Sequence, residues 1–136
     1  MKKFEILPHI ADLKVRVLGK TKEELFLNAL LGMTGGLKPE IKKPEEKVGR
    51  NIRIKSPDLA ALLVDFLSEV LYLIQVEKAI YKDIKFKRLS ENELEAEIFG
   101  QKVERLNEDI KGVTYHDLDI HQREDESWEA TVLFDI

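Results

Sequence analysis

SPDLAALLVDFLSEVLYLIQV, Ser56 to Val76, is the strongest helical signal in the chain. Leu59, Leu62, Leu63, Phe66, Leu67, Val70, Leu71 and Ile74 recur at helical spacing. They leave a narrow polar stripe through Asp58, Asp65, Ser68, Glu69 and Tyr72. A helix with so little polar surface must be mostly buried, and a sheet is its natural cover. Ser56 is the expected N-cap, Pro57 suits the first helical position, and Asp58 complements the positive end of the helix dipole.

The segments around this helix alternate instead. LKVRVLG sets Leu13, Val15 and Val17 on one face and Lys14 and Arg16 on the other, the pattern of a half-buried strand. FEI (Phe4 to Ile6) reads as a short strand closed by Pro8, and VGRNIRIK as another, through Val48, Ile52 and Ile54. AIYKDIKFKRL and ELEAEIFG form a hairpin about the turn Ser90–Asn92, with lysines of one strand facing glutamates of the other. KGVTYHDLDI and SWEATVLFDI form a second hairpin about HQREDES. A second helix begins at Thr21, where Thr21 and Glu24 make a capping box, and TGG (Thr34 to Gly36) is expected to stop it. LKPEIKKPEEK reads as a loop and KVERLNEDI as polar and ambiguous. The expectation is one domain over residues 1–136, α+β, with a mainly antiparallel sheet packed against two principal helices.

Composition narrows the function. Hydrophobic residues make up 43 % of the 136, enough for a real core. A net charge of −4 argues against strong direct nucleic-acid binding, which needs a surplus of lysine and arginine. With no cysteine, disulfides, thiolate metal sites and cysteine nucleophiles are excluded. No uninterrupted run of about twenty apolar residues is present, and MKKFEILPHI does not read as a signal peptide, so the expected location is cytoplasmic. Abundant Lys, Glu and Arg give the composition a thermophile-like cast. Phosphate-binding GxxxxGK[ST], GxSxG, HExxH and EF-hand patterns are all missing.

Candidate chemistry therefore rests on carboxylates and histidines at element ends. Asp12 opens a strand, Asp135 closes the last one, and Ile136 adds a terminal carboxylate. Hard oxygen donors suit Ca²⁺ or Mg²⁺. Spacing alone favours Asp12 as a turn residue and Asp135 as a frayed end. His9, after Pro8, reads most simply as a turn residue, and Asp65 and Glu69 as part of a solvated stripe. On a regular strand His116 shares a face with Leu118 and Ile120, as a half-buried histidine; Lys111 reads as a surface lysine and His121 as the border of a polar turn.

Four blocks together resemble the archease family: His9-x-Ala11-Asp12 before an alternating strand with GKT and a helix, DLAALLVDFLSEVLYL with Asp65 and Glu69, KGVTYHDLDI with Lys111, Tyr115 and His116, and the ending WEATVLFDI. The chain departs from the family pattern at Ile10, usually threonine, at Phe66, commonly tryptophan, and at Gly112, commonly alanine. The resemblance implies an α+β sandwich containing a strand–helix–strand–strand module. It implies a non-catalytic protein cofactor of the tRNA-splicing ligase, which promotes guanylylation of that ligase and its multiple turnover. GTP and RNA would be met only through the ligase. It further implies a divalent-metal site at Asp12, Asp135 and Ile136, holding calcium, or magnesium or manganese. His9, Asp65, Glu69, Lys111 and His116 are candidates for partner activation or for supporting that site. The alternative is a generic protein-interaction module without metal chemistry, with Asp65 and Glu69 on its docking face.

Overall fold

Two antiparallel sheets enclose two helices in the computed structural model, which describes residues 2–7 and 12–136. In chain order the elements are β1 (Phe4–Leu7), β2 (Asp12–Gly19), α1 (Lys22–Gly36), β3 (Pro39–Ile41), β4 (Lys47–Lys55), α2 (Leu59–Glu77), β5 (Ala79–Leu89), β6 (Glu93–Leu106), β7 (Gly112–Gln122) and β8 (Trp128–Asp135). The first sheet has the order β1-β2-β8-β7, so the last strand lies beside the second. In the second, β6 pairs with β3, β4 and β5, and β4-α2-β5-β6 is the expected strand–helix–strand–strand module.

Both helices touch both sheets. α1 packs on β1, β2 and β8 on one side and on β5 on the other, while α2 lies between β7 and the strands β4, β5 and β6. This explains the apolar character of α2: nine of its residues, from Leu62 to Ile74, are buried. By length and hydropathy alone it resembles a membrane-crossing helix, yet its apolar surface is spent on the protein core. Phe66 meets Phe26 of α1 with ring centroids 5.7 Å apart. The inward alternation of Val15, Val17, Ala130, Val132 and Phe134 covers the helices from the first sheet, and Leu94, Ala96 and Ile98 cover them from the second.

On the second sheet the charge ladder is as the hairpin pattern anticipates. Lys85 pairs with Glu97 and Arg88 with Glu95, and β4 adds Arg53 opposite Glu95 and Lys55 opposite Glu93. Glu95 of the central strand is thus flanked by cations on both sides, with Glu93 and Glu97 each opposite one, a charged face.

The local expectations need four corrections. α1 does end at Gly36, within TGG, but not through a left-handed glycine: among the described residues no glycine has positive φ, and the chain turns at Lys38, whose φ is 48°. Burial of Met33 and Thr34 against the core keeps the last turn helical up to the glycines. Pro39–Ile41 is a strand rather than loop, because it pairs with the far end of β6, which absorbs the ambiguous KVERL segment. The N-cap of α2 is Asp58, not Ser56: its side chain accepts from the Ala61 N–H at 2.8 Å, so Pro57 lies before the helix. Finally, β7 is not regular. Between Thr114 and Asp119 it advances five residues while β8 retreats only two, and the surplus forms a bulge with Asp117 at φ 54°. The capping box at Thr21 is confirmed, with Thr21 Oγ1 accepting from Glu24 N–H at 3.1 Å, although Glu24 returns its bond to the Lys20 N–H.

Candidate functional site

Strand β8 runs between β2 and β7, and its last residue brings the chain's two ends together. Asp135 is paired directly with Asp12 on one side and with Gly112 on the other. Directly opposed residues project to the same face. Because Val15, Val17, Val132 and Phe134 point inward, Asp12 and Asp135 point to the outer face of the sheet. Opposed residues of an antiparallel pair have Cα atoms about 4.5–5.5 Å apart, so two carboxylates share one rim.

β7 supplies the third side. The Lys111 N–H donates to the Asp135 carbonyl at 2.6 Å, which holds the Asp135 backbone toward β7 and places Lys111 beside the pair. The Lys111 side chain is exposed. Ile136, half-exposed, lines a hollow of about 300 Å³ with Ile6, Leu13, Gly35 and Gly36. The donor set is all oxygen, as a hard divalent cation requires. Among the described residues, no group of three or more Asp, Glu or His side chains gathers as a metal would need. Two side-chain carboxylates, Asp12 and Asp135, stand at this rim.

The remaining candidates divide. Asp65 does not lie in a solvated stripe: its carboxylate accepts from the Tyr115 hydroxyl and, at 2.5 Å, from Ser56 Oγ. The bulge in β7 carries Tyr115 to the helix. The bond to Asp65 pushes the Tyr115 phenol above its ordinary value, with burial and the Asp65 charge adding in the same direction. Glu69, one turn further along α2, is exposed and stays with the solvated stripe. His116 is not half-buried, because the bulge breaks the face it would share with Leu118 and Ile120; its ring is exposed, and its Nε2 lies 3.6 Å from Asp117 Oδ2. His121 pairs with Asp119, Nδ1 to Oδ2 at 2.7 Å, away from the rim. His9 and Ile10, like Pro8, lie outside the described residues.

Two contributors were missed in the sequence. Ser56 sits where a helix cap is expected but donates its hydroxyl to Asp65 instead. Gln75, near the end of the helix, donates from its Nε2 to the Ile110 carbonyl at 3.1 Å, a contact that helical spacing does not signal.

Comparison with known proteins places this geometry in context. The profile described as the archease protein family matches residues 4–136. The chain is similar to the protein archease of Methanosarcina barkeri, 38 % identical over 99 % of this chain and 97 % of that one. It is similar to the protein archease of Thermococcus kodakarensis, 34 % identical over the whole of both. Protein 1598 of Methanobacterium thermoautotrophicum shares its fold, with a TM-score of 0.72 at 24 % identity over the full length of both chains. So does a Thermotoga maritima protein described as an archease and possible chaperone, with a TM-score of 0.71 at 20 % identity over 97 % of this chain and 96 % of that one.

Proposed function

Because the chain belongs to the archease family, we propose that it is a non-catalytic cofactor of the tRNA-splicing RNA ligase. In this role it promotes guanylylation of the ligase and sustains its turnover in the cytoplasm. The observation that carries the proposal is the register that sets Asp12 opposite Asp135, with Lys111 bonded to the Asp135 backbone.

Asp12, Asp135 and the carboxylate of Ile136 would hold a divalent cation, calcium first, with magnesium or manganese as alternatives. Such an ion neutralises carboxylates that otherwise repel each other and offers a positive centre to phosphate oxygens. The protein's own part is positional. Antiparallel pairing fixes Asp12 and Asp135 on one face, and the Lys111 N–H orients the Asp135 backbone. Lys111, tied to Asp135 through its backbone N–H and exposed along its side chain, would bring a cation to this end of the sheet, suited to a phosphate.

The test is to mix the protein with its own organism's tRNA-splicing ligase, GTP and a divalent metal, and to follow ligase–GMP formation. The wild-type chain should raise the rate. Asp12→Ala and Asp135→Ala should lose the stimulation while circular dichroism shows the fold intact. Full stimulation by both variants would overturn the site. A calorimetric titration showing no divalent binding, with ligase association intact, would favour a metal-free interaction module.

A further inference from the structure

We propose that helix α2 grips the segment Ile110–Tyr115 at both ends and thereby sets Lys111 against Asp135, making Gln75, Asp65 and Tyr115 positioning residues for the carboxylate rim. The activity arm of this inference rests on the function proposed above; its structural arm does not.

The segment needs such a grip. β7 is the edge of the first sheet, with β8 as its one neighbouring strand. Its leading part pairs only through Gly112, Val113 and Thr114 before the bulge breaks the register. Three paired residues at a sheet edge form a ladder with little intrinsic persistence. Lys111 lies just outside it, tied by one backbone bond to Asp135.

α2 supplies the missing constraints. At one end Gln75 Nε2 donates to the Ile110 carbonyl, and the Ile110 side chain is fully buried. At the other end the Tyr115 hydroxyl donates to Asp65. Asp65 is itself held by Ser56 Oγ, from the residue that follows β4. The spacings agree. Ten helical residues from Asp65 to Gln75 rise about 15 Å, and five extended residues from Ile110 to Tyr115 span about 17 Å. Segment and helix therefore run alongside each other with both ties made, and Lys111 and Gly112 lie between them. The bulge has a purpose in this arrangement: it frees Tyr115 from the sheet register so that it reaches the helix.

Gln75 and Tyr115 are both exposed, so their substitution spares the core. In Gln75→Ala/Tyr115→Phe, exchange of the Lys111 amide should quicken by about tenfold, the order expected when ties of ordinary hydrogen-bond strength are lost. Amides of the β4–β6 pair should keep their protection. Val76→Ala, on the same helix, should change neither. In the ligase–GMP assay the double variant should show a plateau several-fold lower at an unchanged half-saturating concentration, since docking is intact and only Lys111 is misplaced. Unchanged exchange at Lys111 in the double variant overturns the grip. Faster exchange with an unchanged plateau, where the wild type stimulates, overturns the positioning role. If the wild-type chain stimulates nothing, the proposed function fails, and the exchange measurement alone still decides whether α2 grips the segment.

Discussion

Asp12, the first residue of β2, stands directly opposite Asp135, the last of β8, so the fold places two carboxylates on one face at one end of the sheet's central strand pair. Like charges opposed across a strand pair are destabilising, by amounts on the scale of about 0.2–1 kcal/mol. With calcium added to about a hundred times its dissociation constant, the wild type should gain about 2.7 kcal/mol by mass action, and Asp135→Asn much less. Thermal unfolding with calcium and with chelator measures both; an equal calcium response in the two proteins would remove Asp135 from the site.

The start of α2 offers a local test. Asp58 accepts from the Ala61 N–H, so Asp58→Ala should cost about 1 kcal/mol, within the usual 0.5–2 for a lost cap. Ser56→Ala should spare the helix and act through Asp65, leaving that carboxylate with the Tyr115 hydroxyl. Urea unfolding of the two variants separates the roles; a larger loss for Ser56→Ala than for Asp58→Ala would return the cap to Ser56.

Gly100 lies where β6 passes Tyr81 of β5. A Cβ added there would come within 1.7 Å of the Ile80 carbonyl oxygen, a backbone atom that cannot step aside without moving the strand. Gly100→Ala should cost about 1–3 kcal/mol or more, the range for overpacking. Gly112→Ala should be tolerated, since nothing lies within 4 Å of its Cβ position. Denaturant midpoints for the pair provide the comparison.

Tyr115 should report the tie to α2 through its titration. Its folded value is raised, chiefly by the bond to Asp65, above the ordinary tyrosine value near 10. The stabilisation is fully present below about pH 10 and is lost as pH rises through the raised folded value. Ultraviolet titration should show a phenol step above the ordinary range that vanishes in Tyr115→Phe and moves downward in Asp65→Asn. Tyr81, raised by burial against the opposing charge of Arg50, should persist in both variants. A Tyr115 step indifferent to Asp65→Asn would refute the bond.

Much of the fold was legible along the chain because its causes are local. The alternation of Leu13, Val15 and Val17, the capping box at Thr21 and the Ser90–Asn92 turn each depend on residues a few positions apart, and each appears as expected. The buried character of α2 followed from its narrow polar stripe. The candidate site was legible only through resemblance: spacing left Asp12 and Asp135 as a turn residue and a frayed end. What brings them together is the placement of β8 beside β2, a pairing between opposite ends of the chain. Ser56, Gln75 and Tyr115 belong to the same class, since each finds a partner on another element. Periodicity reports which face of an element is apolar, because burial acts on every residue of that face. It is silent about which polar residue meets which, because that depends on register, on one bulge in β7 and on two sheets closing over the same helices. Those are decided by packing, and packing sets Lys111 beside Asp135.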